Sequence, residues 1–104
     1  MKNDVFLQSL GLARRAGRLL CGFDSVVSEK TRLSAVLLAS DLSPRTVKNL
    51  RYALDNENIQ PVTLEYSMSA LGYAIGKKPV GIIGIADDGF AKLLMSKLNG
   101  EVIE

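Results

Sequence analysis

Two short apolar runs, Ala35-Val36-Leu37-Leu38-Ala39 and Val80-Gly81-Ile82-Ile83-Gly84-Ile85-Ala86, constrain the fold of this chain more than any other feature. Neither alternates with polar residues and both are shorter than an ordinary buried helix, so each reads as a strand covered on both faces. A sheet buried on both faces needs helices above and below it. The stretches around the two runs supply them.

Phe6, Leu10 and Ala13 recur at helical spacing and predict a helix over residues 3–16, ended by Gly17. Leu19-Leu20-Cys21, closed by Gly22, predicts a short strand, and residues 23–30 carry a brief helix with Val26 and Val27. Ser43-Pro44 joins an N-cap residue to a proline at the first helical position. Val47, Leu50 and Leu54 then form the buried stripe of a helix expected to reach Glu57, with Arg45, Lys48 and Tyr52 on another face. Pro61 to Glu65 reads as a strand, and Ser67 caps a helix bearing Met68, Leu71 and Ala74 that Gly76 stops. Asp87 or Asp88 caps a last helix with the stripe Phe90, Leu93, Leu94 and Leu98.

The resulting order is α-β-α-β-α-β-α-β-α. It predicts an α/β fold, a three-layer α/β/α sandwich around a sheet of about four strands, mostly parallel or mixed. The 104 residues suit one domain, so residues 1–104 are expected to form a single unit. In such sheets ligands meet loops at the carboxyl ends of the strands. That predicts a cluster of Gly22–Asp24, Ser40–Pro44, Glu65–Ser67 and Asp87–Gly89.

The chain has no His and one Cys, which removes an imidazole base, a histidine metal ligand and an internal disulfide. Asp41, Asp87 and Asp88 follow apolar strands, where carboxylates can hold a metal. The same positions serve helix capping, and capping is the stronger reading. The phosphate-loop, dinucleotide and nucleophile-elbow motifs are missing from the sequence. A non-enzyme without cofactor or metal is therefore expected. Cys21 reads as a small buried side chain. No run approaches the ~18 apolar residues of a membrane span, and Asp4, Arg14 and Arg15 make the start unlike a signal peptide. A cytoplasmic location is the corresponding expectation.

Overall charge is nearly balanced, with 13 basic against 11 acidic side chains, but it is unevenly placed. Residues 1–51 hold 9 basic and 4 acidic side chains, whereas residues 52–104 hold 4 and 7. Three basic clusters stand out: Arg14-Arg15 with Arg18, Arg45 with Lys48, and the loop Gly76-Lys77-Lys78-Pro79. Each alone fits a solvated face. Together they suggest a surface that meets phosphate, although stacking aromatics of the RNP type are missing and only Phe23 falls in a candidate loop.

Four strings in consistent order then carry a resemblance. They are Leu10-Gly-Leu-Ala-Arg-Arg-Ala-Gly-Arg-Leu-Leu-Cys-Gly22, Leu37-Leu-Ala-Ser-Asp-Leu-Ser43, Leu71-Gly-Tyr-Ala-Ile-Gly-Lys77 and Gly89-Phe-Ala-Lys-Leu-Leu94. Over roughly residues 5–98 the chain resembles the ribosomal protein family of the large-subunit proteins seven-Ae and thirty-e, above all its short bacterial YlxQ-like members. The resemblance implies an α/β/α domain that binds structured RNA, commonly a kink-turn, and a possible tie to the ribosome. Carried over, the RNA-contacting residues are Gly22, Phe23, Asp24, Ser25 and Ser28; Asp41, Ser43, Arg45 and Lys48; and Gly76, Lys77, Lys78, Pro79 and Val80.

One departure falls inside that set. Strong kink-turn binders resemble G-x-N-E-x-x-K after the first strand, where this chain has Gly22-Phe23-Asp24-Ser25-Val26-Val27-Ser28. An amide becomes a carboxylate that cannot donate, and a lysine that could meet backbone becomes serine. Asp24 is alternatively the N-cap of its helix. A non-catalytic RNA-binding protein is the leading expectation, and a protein-interaction module on the same fold is the alternative.

Overall fold

The computed structural model describes residues 4–55 and 57–98. Its elements are α1 (Val5–Arg15), β1 (Leu19–Cys21), α2 (Phe23–Ser28), a single 3-10 turn (Lys30–Arg32), β2 (Ala35–Leu38), α3 (Pro44–Ala53), β3 (Val62–Thr63), α4 (Met68–Ala74), β4 (Ile82–Ile85) and α5 (Asp88–Leu98). The expected alternation is present in full.

Side chains of the two apolar runs alternate between the faces of the sheet, as a period of two requires. Leu37, Ala39, Ile83 and Ile85 pack with Phe6, Leu10, Leu71, Ala91 and Leu94 of α1, α4 and α5. Val36, Leu38 and Ile82 pack on the other side with Val26, Leu50 and Leu54 of α2, α3 and the residue after α3. The three layers are therefore α1/α4/α5, sheet, α2/α3. Gly84 faces the second cluster, where an added Cβ would lie 3.0 Å from Leu33 Cδ2 and 3.2 Å from Val26 Cγ2. Its lack of a side chain lets α2 sit against the strand.

Strand order is β1-β4-β2-β3. β2 and β3 are parallel, whereas β4 runs antiparallel to both neighbours, Leu38 facing Ile82 and Cys21 facing Ile83. The sheet is thus mixed rather than mainly parallel. β1, β2 and β3 point one way, and β4 returns between β1 and β2. The carboxyl ends of three strands and the start of β4 consequently share one end of the sheet. Asp87-Asp88-Gly89, which follows β4, lies at the opposite end, which corrects its expected place in the loop cluster. There Arg18 approaches Asp87 to 3.7 Å and Ser34 Oγ hydrogen-bonds Asp88.

Helix ends follow local chemistry. Asp4 Oδ1 accepts from the Leu7 amide at 3.0 Å, Ser43 Oγ from Thr46 at 3.1 Å, Ser67 Oγ from Ala70 at 3.1 Å and Asp87 Oδ1 from Phe90 at 2.8 Å. These are N-caps that satisfy otherwise free amides. The helix expected to reach Glu57 stops at Ala53 with Leu54 as its C-cap, and Asp55, a residue type that favours turns over helix interiors, follows. The strand expected over Pro61–Glu65 shortens to Val62–Thr63 at the sheet edge, although the Leu64 amide still donates to Leu38 O at 2.8 Å. On α5 the stripe is Ala91 and Leu94, with Phe90, Met95 and Leu98 beside them, while Leu93 is exposed. Among the described residues no helix is long and apolar enough to cross a membrane.

Candidate nucleic-acid interface

Backbone hydrogen bonds tie together the loops at the shared end of the sheet. Gly22 N donates to Ile82 O at 2.9 Å, Ala39 N to Gly81 O at 2.9 Å, Ser40 N to Tyr66 O at 2.8 Å and Val80 N to Met68 O at 3.1 Å. Asp41 adds a side-chain tie, its Oδ1 accepting from the Met68 amide at 2.9 Å. That bond makes Asp41 a cap for the neighbouring α4, and Asp87 caps α5. Both carboxylates thus cap helices, as expected of Asp after an apolar strand.

The lysine loop rests on α4 through a glycine. Lys77 N donates to Gly72 O at 2.8 Å, and a Cβ on Gly72 would lie 2.7 Å from the Lys78 carbonyl carbon and 2.9 Å from Pro79 Cα. Only a residue without a side chain lets the loop backbone lie this close. Gly76, at φ 72°, then turns the chain out of α4 in a conformation that L side chains rarely adopt. Lys77, Lys78 and Pro79 are exposed, and they line an open groove of about 380 Å³ with Cys21, Gly22 and Val80. Val80 itself is a core residue at 8% exposure, so within the site it anchors the loop.

Across the groove, Gly22 opens α2 with φ 96° and no side-chain cap. Asp24 is therefore not the N-cap but an exposed residue of the first turn, next to exposed Ser25. Phe23 is half-buried against the α2/α3 cluster rather than offered from a loop. Ser28 Oγ donates to the Ser25 carbonyl at 3.1 Å, which directs that hydroxyl onto its own helix. At the head of α3, Ser43 is the capping residue, with Arg45 and Lys48 exposed beyond it.

Arg14, part of the first basic cluster but not among the RNA-contacting residues that the resemblance implies, joins this end through the fold. It lines a second hollow with Cys21, Ser25 and Lys77 along the edge of β1. Helical spacing would bring Arg14 near Arg18 only if the helix continued, but α1 stops at Arg15, Gly17 turns at φ 74°, and Arg18 goes to Asp87. The half-buried Cys21 thiol is pushed up in pKa by burial, against the lowering pull of Lys77 and Arg14. It stays a protonated packing group at neutral pH.

The order of loops and strings matches a known sequence family across residues 4–95, the Ribosomal protein L7Ae/L30e/S12e/Gadd45 family. The chain belongs to this family. Within it, the chain is 35% identical over 92 residues to the RNA-binding protein YlxQ of Bacillus subtilis (strain 168), covering 86% of this chain and 91% of the relative. The RNA-binding protein YlxQ of Enterococcus faecium is 30% identical over 93 residues, covering 88% of each chain. Among solved structures, a protein of unknown function from Bacillus halodurans C superposes with TM-score 0.83 at 34% identity, over 94% of this chain and 100% of the other. The Giardia lamblia 15.5kD RNA binding protein shares the fold, with TM-score 0.72 at 18% identity over 95% and 89% of the two chains.

Proposed function

We propose that residues 1–104 act as one non-catalytic RNA-binding domain that recognises a kink-turn or related structured RNA, on or off the ribosome. The observation that carries this reading is the reversal of β4, which sets exposed Lys77 and Lys78 beside the Gly22–Ser25 turn on the same end as Ser43 and Arg45. Membership of the family and the YlxQ relatives named as RNA-binding proteins support it.

In this reading Lys77, Lys78, Arg45, Lys48 and Arg14 neutralise backbone phosphate as exposed charges. The Gly22–Ser25 turn and the Pro79 ring face the irregular part of the RNA, where unstacked bases and shape carry recognition. Asp24 adds repulsion from phosphate and Ser28 no charge. Affinity for a standard kink-turn is accordingly lower than in relatives with the Asn, Glu and Lys pattern.

Those same substitutions favour a second reading, a protein-interaction module that keeps the fold. Fluorescence titration separates the two, using a kink-turn RNA and a control whose sheared G·A pairs are made Watson–Crick. Tighter binding of the kink-turn, falling steeply with salt, supports the first. Equal binding of both RNAs with a flat salt response overturns it in favour of the second.

A further inference from the structure

The outward face of α3 continues the basic end of the sheet down the side of the molecule. In Pro44–Ala53 the charged residues are Arg45, Lys48 and Arg51, and none is acidic. At 3.6 residues per turn, Arg45, Lys48 and Tyr52 form one stripe opposite buried Leu50 and Leu54, with Arg51 on its border next to Lys48. All four are exposed, Tyr52 at 85%. The two ion pairs among the described residues use Arg18 and Arg32, so these cations remain available. At the far end Lys30 Nζ donates to the Ala53 carbonyl at 3.1 Å and adds a further positive group. Exposed Asp55 then ends the stripe.

We propose that this face of α3 is a second contact surface, which grips the sugar-phosphate backbone of a duplex RNA stem flanking the element held by the loops. The proposal rests on the RNA-binding reading above and extends it beyond the loops. From Arg45 to Tyr52 the stripe spans roughly 10 Å along the helix axis, and it starts at Ser43, on the loop-bearing end of the sheet. A stem leaving the loops along this side meets Lys48, then Tyr52 and Arg51. Lys48 and Arg51 supply point charge and a planar fork for phosphate. Tyr52 supplies a hydroxyl donor to phosphate or sugar oxygens and a flat ring beside them. Contacts of this kind carry no sequence information. They add affinity to any stem of sufficient length.

The test compares two kink-turn RNAs with identical loops, one with its flanking stem cut to a few base pairs and one with that stem extended by a helical turn. The unmodified protein should bind the longer RNA more tightly and with a steeper log–log salt dependence. Arg51→Gln should flatten the slope for the longer RNA by about one unit. The same variant, at a residue outside the loop contacts, should leave the shorter RNA nearly unaffected. Tyr52→Ala should weaken the longer RNA several-fold with its slope unchanged, since no charge is removed. Lys77→Ala with Lys78→Ala should weaken both RNAs.

If the unmodified protein binds both RNAs alike, or if the α3 variants leave the longer one unchanged, the second surface is overturned while the loop reading stands. Failure of the unmodified protein to bind either RNA overturns both. Circular dichroism of each variant, which should match the unmodified protein, ties a loss of binding to the surface rather than to unfolding.

Discussion

At the end of the sheet where β4 begins, Lys77, Lys78, Arg45 and Lys48 stand exposed, whereas at the end where β4 finishes Arg18 meets Asp87 and Ser34 meets Asp88. The first end is held by backbone bonds between loops and by one side-chain tie from Asp41 to Met68, and its basic side chains are left out of the framework. At the second, side-chain contacts do the bracing. An exposed pair such as Arg18 with Asp87 contributes only about 0–1 kcal/mol, so stability alone does not explain the difference. Among the described residues the cations at one end form no ion pair, which keeps them available to an anionic partner. If that is the purpose, perturbing the first end should change binding far more than stability, except where the perturbation reaches the backbone frame.

The largest effect is expected from that exception. Gly72→Val would force Lys78 and Pro79 off α4, because even a Cβ would meet Pro79 Cα at 2.9 Å. Overpacking of this kind costs about 1–3 kcal/mol, and the displaced loop should lower RNA affinity by more than tenfold. Gly89→Ala at the opposite end brings a Cβ only to 3.2 Å from Asp87 Oδ1. It should change stability by less than about 1 kcal/mol and leave affinity alone. Urea unfolding and RNA titration of both variants make the comparison, which breaks if the two variants bind RNA equally.

Next comes charge without framework. Lys77→Ala with Lys78→Ala should leave the urea midpoint within about 0.5 kcal/mol of the parent. The log–log salt slope of RNA binding should fall by about two units. Arg18→Ala removes a cation from the other end and should leave the slope where it was. An equal change from both variants would mean that only net charge matters and that the two ends are equivalent.

A smaller effect is expected from the α2 turn. Asp24→Asn combined with Ser28→Lys restores two residue types of the strong kink-turn pattern, removing one repulsive charge and adding one attractive one. Kink-turn affinity should rise several-fold relative to the Watson–Crick control. Asp24 also lies in the first turn of α2, where an anion favours the helix by about 0.3–1 kcal/mol. The tighter binder should therefore be slightly less stable, and a gain in both properties would contradict this placement of Asp24.

The contrast between the two ends was only partly legible in the sequence. Caps at Ser43, Ser67 and Asp87, the turn glycines Gly17 and Gly76, and the two apolar strands follow from local rules, because each depends on a few neighbouring residues. Strand direction leaves no such mark. Ile82–Ile85 is buried on both faces whether it runs parallel or antiparallel, so Asp87–Gly89 was expected among the ligand-facing loops and the structure moves it away. The lysine loop stands beside the turn after β1 because β4 is reversed, a neighbourhood that local residue patterns do not encode. Leu93 shows a different limit, since small Ala91 takes the inward position that a count of large apolar residues gives to leucine. Arg14 and Lys77, 63 positions apart, are brought together only by the packing of α1 and α4 beside β1.

The smallest effect belongs to Tyr66, at the far side of the loop-bearing end, where polar side chains do take part in the frame. Its ring stacks on Phe6 with centroids 5.2 Å apart and planes 8° from parallel. Its hydroxyl donates to Asp4 Oδ2 at 2.6 Å, while Asp4 Oδ1 caps α1. Burial first, then the bond to Asp4 and the nearby charges of Asp4 and Glu65, push the phenol up to about 12 from an ordinary 10.0. Because the folded state holds this proton more tightly, the associated stability is fully present below pH 10.0 and is lost as pH rises toward about 12. Tyr66→Phe keeps the stacking but removes the donor, so at neutral pH it should cost about 1 kcal/mol. Above pH 10.0 the urea midpoints of the variant and the parent should converge. Only the difference between the two curves reports Tyr66. A constant gap across that range would show that the bond to Asp4 contributes no protonation-linked stability.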